Sequence, residues 1–220
     1  MPTYLGIFTN KTGSYNVEVI NDFDEFHMQI GAFKFSGSDL DSFELENINE
    51  FTEQELIDFG VVIHRQNYNE LKNYQLSLKI PQILIDMSSK KEIKVTMDVQ
   101  LELKDNFEQA TVSFQIDDEH YEGKHDFMEL IFDEIQRQFN GKYRFKNCYG
   151  CLYADYSVYG QGFMSSVLCF KNQKEAYLQV HNKNEYMMNL ELHDSQQQEI
   201  YCCVEYEIRD KSVGYRGTVL

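Results

Sequence analysis

From Ile93 to Leu103 every second residue is apolar: Ile93, Val95, Met97, Val99, Leu101 and Leu103. Thr96, Asp98, Gln100 and Glu102 fall between them. Successive strand side chains point to opposite faces, so this run requires one buried face and one wet face, as in antiparallel sheet. Ala110, Val112, Phe114 and Ile116 repeat the pattern one hairpin later. A chain built around such pairs must find something apolar to cover one side of a sheet.

The flanking segments extend the same reading. Residues 4–9 and 15–20 read as strands joined by the polar, Gly-containing link Asn10-Lys11-Thr12-Gly13-Ser14. A third strand is predicted over 26–35. Thr52 and Glu55 then form a capping box, and Gly60 is placed to end a short helix about two turns later. Residues 61–64 read as a short strand. Leu76, Leu78 and Ile80 alternate until Pro81, which has no N–H for a ladder and predicts an edge or a break. His120 and His125 straddle Gly123 in a presumed connection and are a weaker candidate pair of metal ligands.

One substantial helix is predicted from Phe127 to Phe139, with Asp126 as cap and Asn140-Gly141 as its end. Met128, Ile131, Phe132, Ile135 and Phe139 make a core stripe that leaves Asp133, Glu134 and Arg137 wet. Residues 186–193 and 200–208 read as further strands, with Gln196-Gln197-Gln198 in a hairpin turn. In the second of these, Cys202 shares a face with Ile200, Val204, Tyr206 and Ile208, while Cys203 lies on the polar face. The fold class is therefore α+β: mainly antiparallel β-sheet with one principal amphipathic helix packed on it and one short helix. A single domain over 1–220 is expected, with 1–120 and 121–220 as candidate lobes.

Charge is unevenly placed. Residues 1–60 hold twelve acids against Lys11 and Lys34, so they carry −10 of the total −16. Such a field repels nucleic acid and anionic membrane and steers basic partners. No window reaches the roughly 18 consecutive apolar residues of a membrane helix, and the first residues lack a secretory pattern. Five cysteines, two of them adjacent, do not make a paired disulfide framework. The expected compartment is the cytoplasm.

Residues 147–170 concentrate the chemistry, with three cysteines, four tyrosines and one Asp. Cys148 and Cys151 form a C-x2-C knuckle. If the last strand returns to it, Cys203 joins them and Cys169 or a His completes four ligands, a set suited to structural zinc. Unliganded reduced thiols are the alternative. A nucleophilic cysteine would need a nearby stabilising partner, and no His forms a recognisable signature with one. Tyr153, Tyr156 and Tyr159 are candidate anchors for a protein partner, and buried packing is the competing reading.

The segment CYGCLYADYSVYG, the later LCF and the terminal CVEYEIRDKSVGYRG resemble the motif set of an uncharacterised bacterial family, over about the last 75 residues. The resemblance implies importance for Cys148, Cys151, Asp155, Tyr156, Cys169, Cys203, Glu205, Arg209, Gly214, Tyr215, Arg216 and Gly217, without a catalytic role. Some similar proteins look like immunity proteins of toxin systems. Two function classes follow. One is an acidic immunity protein that occludes a cognate toxin, with Asp39, Asp41, Glu44 and Glu46 as steering residues and the tyrosines as anchors. The other is a metal- or thiol-dependent enzyme using the Cys148/Cys151 knuckle.

Overall fold

The alternating run is β9 of the structure, a computed structural model that describes residues 1–64, 68–158 and 162–214. The chain opens with a hairpin of β1 (Thr3–Asn10) and β2 (Gly13–Asn21), as its polar link predicts. The single strand expected over 26–35 is a second hairpin, β3 (Phe26–Ile30) and β4 (Phe33–Gly37), because Gly31 takes a φ of 60° and turns the chain. After β5 (Glu44–Leu45), α1 (Glu53–Phe59) forms with its capping box complete and with Gly60 left-handed at its end. β6 (Val61–Ile63) and β7 (Asn69–Leu71) pair with each other.

Then come β8 (Gln75–Asp86), β9 (Glu92–Lys104), β10 (Phe107–Ile116) and β11 (Glu119–His125). The last was expected to be a connection. The amphipathic helix α2 (Met128–Gln138) and the short β12 (Tyr143–Phe145) follow. Ten strands make one antiparallel sheet in the order β11-β10-β9-β8-β1-β2-β3-β4-β5, with β12 also on β8. Fold class and topology agree with the antiparallel α+β expectation.

Pro81 does not break its strand. β8 pairs with β9 from Gln75↔Glu102 to Ile85↔Glu92. Its other edge is shared: β1 takes residues up to Leu78 and β12 takes Leu84 to Asp86. Pro81 falls in the gap between the two, where a missing N–H costs no ladder bond.

One face of the sheet is buried throughout, with Phe8, Val19, Phe35, Leu78, Met97, Val112 and Phe114 all on it. The other is wet, as a cross-sheet row shows: Asn16, Ile7, Ser77, Gln100, Thr111 and Lys124 stand opposite one another in register. The α2 stripe covers the β10–β11 end of the buried face, with Met128, Ile131, Phe132, Ile135 and Phe139 buried. Close seating is possible because Gly123 has no side chain: a Cβ there would lie 2.5 Å from the Ile131 carbonyl oxygen.

Asp126 does not cap α2; Phe127 is the N-cap and makes no side-chain cap bond. Asp133 is buried rather than wet, as the Tyr149 hydroxyl donates to it at 2.8 Å.

The remainder covers the middle of the sheet. It contains β13 (Ala154–Asp155), β14 (Ser166–Cys169), α3 (Lys174–Tyr177), α4 (Lys183–Asn189) and β15 (Ser195–Gln198). β14 pairs with β13 and β15. The strand expected over 186–193 is the end of α4 and a 3-10 turn, Leu190–Leu192. The expected turn at 196–198 is β15. Residues 200–208 are irregular, with an isolated β-bridge to the knuckle at Cys151↔Ile208. Among the described residues no helix is long and apolar enough to cross a membrane.

Ile131 is fully buried between α2 and β11. Ile131→Ala should cost about 2–5 kcal/mol by opening a cavity. A denaturant titration showing a loss under about half a kcal/mol would contradict this packing.

Candidate functional site

The knuckle is a turn whose backbone is fixed twice. Internally, the Cys151 N–H donates to the Cys148 carbonyl at 3.2 Å and the Asn147 side chain accepts from the Gly150 N–H at 3.1 Å. Externally, residues 199–209 clasp it: Cys148 N–H to the Tyr201 carbonyl (2.6 Å), Leu152 N–H to the Glu207 carbonyl (2.8 Å), and Arg209 N–H to the Gly150 carbonyl (3.0 Å). The irregular path of 200–208 follows from this. Its backbone groups bond a turn, which offers no straight partner edge. The sequence-based face argument for Cys202 and Cys203 therefore fails, and both are half-buried.

The thiols are brought near one another without forming a ligand set. Cys148, Cys151 and Cys169 are buried, and Cys148 feels all four other cysteines electrostatically. Burial, then Cys151, raises the Cys148 thiol far above its ordinary value. Burial is also the leading cause that raises Cys151 and Cys169, and it pushes Cys202 up to about 11. These are protonated thiols at neutral pH, whereas a nucleophilic cysteine needs thiolate character. Among the described residues no group of three or more His, Cys, Asp or Glu side chains is arranged to hold a metal ion. Cys148, Cys151, Cys169 and Cys203, the expected zinc ligands, are not assembled as such a group. His120 and His125 differ in parity on β11, so they point to opposite faces.

A network of tyrosines and ions surrounds the turn. Asp155 is fully buried and accepts from the Tyr177 hydroxyl at 2.9 Å. That hydroxyl in turn accepts from Arg209 Nη2 at 3.0 Å. Arg209, itself buried, spends further donors on the carbonyls of Cys151 (3.2 Å), Leu152 (3.3 Å), Ala154 and Val213 (2.9 Å). Gly214 closes this knot at a φ of 76°, where a Cβ would stand 2.2 Å from both Asp155 Oδ2 and the Tyr177 hydroxyl. Nearby, the Tyr156 hydroxyl donates to buried Glu199, and the Tyr186 hydroxyl to the Tyr156 carbonyl at 2.9 Å.

The structure thus joins Asp155, Tyr156, Arg209 and Gly214 in one interior network. Glu205 lies outside it, exposed beside Lys174. Tyr159, Tyr215, Arg216 and Gly217 lie outside the described residues. Tyr153 and Tyr156 are buried, at 5% and 2% exposure, so they are interior hydrogen-bonding residues and not surface anchors. Tyr153 donates to Glu207 (3.1 Å) under the Lys174 ammonium. Sequence reasoning missed Tyr177 and Glu199, because nothing local distinguishes them.

The four proposed steering acids divide. Glu44 and Glu46 are exposed, with Glu46 3.7 Å from His27. Asp39 and Asp41 fold inward instead. Asp41 Oδ1 accepts the Phe163 N–H at 2.6 Å, and the Leu40 N–H bonds the Phe163 carbonyl at 2.9 Å. The acidic loop is therefore stitched to the segment that returns from the tyrosine run. Asp39 accepts from Ser38 and Ser42. Burial first, then the neighbouring Asp39 charge, pushes the Asp41 carboxyl up to about 7.

These features define an α+β scaffold with a tyrosine–arginine interior on one sheet face and an acidic N-terminal surface. The chain belongs to a family of unknown function (DUF6304), whose model matches residues 2–154. That match covers the large sheet, α2 and the knuckle, and stops before the LCF and CVEYEIRDKSVGYRG segments. No curated protein and no solved structure matches the chain.

Two measurements test this interior. Tyr177→Phe leaves Asp155 short of a donor and should cost about 1–3 kcal/mol. A loss within about 0.5 kcal/mol in urea would show the hydroxyl to be dispensable. For Asp41 the folded value lies above the ordinary 3.8, so the folded chain holds the proton longer than the unfolded one. The stability tied to that proton is complete below 3.8 and is lost as pH rises through about 7. Asp41→Asn should flatten stability against pH across that window. Identical slopes for the two proteins would refute the assignment.

Proposed function

We propose that this chain is a protein-binding module, most concretely an immunity protein that neutralises a cognate basic toxin by occlusion in the cytoplasm. One observation carries the reading, the placement of uncompensated acid. Of the twelve acids in residues 1–60, Glu18, Asp24, Glu25, Glu44, Glu46, Glu50, Glu53, Glu55 and Asp58 are exposed. Exposed acids facing a cationic partner raise encounter rates, while desolvated contacts set residence time. The sequence resemblance to a family in which some similar proteins look like immunity proteins supports the same reading. The enzyme alternative draws no support from the knuckle, whose buried thiols are held protonated.

Asp39 and Asp41 have internal partners, so the steering test belongs to exposed residues. Reversal of Glu18, Glu44 and Glu46 to Lys should slow association with the cognate toxin and flatten its salt dependence. Folding should change by under about half a kcal/mol, as for other surface changes. Rescue of toxin-bearing cells, followed by binding kinetics at two salt concentrations, provides the readout. Unchanged rescue and association rate would sink the acidic-surface model.

A further inference from the structure

A groove runs between α1 and the turn joining β3 to β4, with a volume of about 410 Å³. That is within the roughly 300–1,000 Å³ typical of ligand pockets. Its walls are aromatic: Tyr15, Phe33, Phe51 and Phe59 line it, with the carboxylates of Glu55 and Asp58. Phe33 is sandwiched between Phe51 (centroids 4.2 Å, planes 7° apart) and Phe59 (4.1 Å, 19°). Phe59 continues the stack inward to Phe8, while Phe33 and Phe51 remain half-exposed.

Packing explains Phe59, which is buried, but it leaves two phenylalanine rings at the surface beside ionised acids. Glu55 stays charged because the Thr52 backbone and hydroxyl bonds lower its pKa. Asp58 is exposed, accepting from Gln54 at 2.9 Å. None of the described lining residues carries a positive charge. Aromatic rings with carboxylates and no resident cation are complementary to one chemical group, a cation with an apolar or planar body.

We propose that this groove is the binding site for an arginine side chain of the basic partner. The inference rests on the partner reading above for the source of that arginine, but not for the site's chemistry. A guanidinium can lie flat on the outer face of Phe51, the end ring of the stack, while its N–H groups reach the carboxylates, whereas an ammonium offers no plane to stack. The acids of the surrounding surface bring the partner in, and the groove supplies the desolvated contact that slows its release.

The test uses arginine amide and citrulline amide, which shares its α-amine but has an uncharged isosteric side chain, titrated into the isotopically labelled full chain. Ring resonances of Phe33 and Phe51 are followed by NMR. Arginine amide should shift them saturably, with citrulline amide at least about tenfold weaker. Phe51→Leu keeps apolar volume but removes the ring, and should weaken arginine amide about fivefold or more. Asp58→Asn, on an exposed side chain, should weaken it while leaving the melting curve unchanged, which keeps the test valid if Phe51→Leu misfolds. Equal responses to the two amides overturn the proposal. So do shifts spread evenly over the acidic surface. If toxin rescue persists while Phe51→Leu and Asp58→Asn change neither rescue nor titration, the groove is wrong and the acidic-surface reading stands. If arginine amide seats in the groove but no basic partner is bound, the site stands and the immunity reading falls.

Discussion

The architecture depends on how β8 divides its edges. Along one edge it pairs with β9 over eleven consecutive positions, Gln75 to Ile85. Along the other it is split between β1, which attaches the whole acidic half of the sheet, and β12, which leads into the knuckle. The gap at Pro81 and Gln82 is where the C-terminal layer docks. Buried Gln82 donates to the Ile200 carbonyl at 3.2 Å and accepts from the Asn147 side chain at 2.9 Å. On β2, buried Asn21 donates to Gln198 at 2.6 Å. These amides stand on an otherwise apolar face, so each must be satisfied by the covering layer, and each is satisfied in one docked position. Apolar contact alone would tolerate sliding; these bonds fix register.

The two outer edges of the sheet are closed by the same chemistry. On β11 the Glu122 N–H donates to Gln138 of α2 (3.2 Å) and the Lys124 N–H to Glu134 (3.0 Å). On β5 the Leu45 N–H donates to Asn69 at 2.6 Å, and Asn69 returns a bond to the Leu45 carbonyl. Open ladder edges template association with other chains. Here side chains occupy them, so edge-to-edge pairing is blocked and the chain presents side-chain surfaces: the wet sheet face, the acids, and the groove beside α1. Glu134, expected off the helix stripe and wet, is exposed, and its carboxylate also serves the neighbouring strand.

How much the sequence reveals follows from the range of the forces. In β1, β2, β9, β10 and α1 the signals are local, namely alternation, turn residues and a capping box, and the structure follows them. α2 has its apolar stripe where periodicity puts it, but Asp126 fails as a cap because its neighbourhood on β11 directs it toward His125. Beyond residue 146 the local signals mislead. Tyr186 and its neighbours read as alternation but form a helix, since the Tyr186 ring is needed against Phe170 (5.9 Å) and its hydroxyl at Tyr156. Residues 200–208 alternate too, yet a knuckle offers them no straight edge. Asp155 and Arg209 were marked only through resemblance. Glu199 and Tyr177 were not marked at all, because their burial depends on partners 22 to 43 positions away.

A chain with 36 acids and only 20 lysines and arginines has too few cations to pair its interior carboxylates and its surface alike. Tyrosine hydroxyls share that work in the C-terminal layer: Tyr149 donates to Asp133, Tyr153 to Glu207, Tyr156 to Glu199 and Tyr177 to Asp155. A neutral donor satisfies a carboxylate without adding charge, and its ring fills the surrounding core. The 15 tyrosines thereby let the interior hold acids while most acids of residues 1–60 stay in water without nearby cations. The buried tyrosine network and the exposed negative surface are two sides of one charge distribution. Adding surface lysines would shrink the negative field, whereas losing a single interior hydroxyl would leave a carboxylate short of a donor in low dielectric. The scaffold can therefore vary its outer charge far more freely than its inner one, which suits the partner-matching surface proposed above.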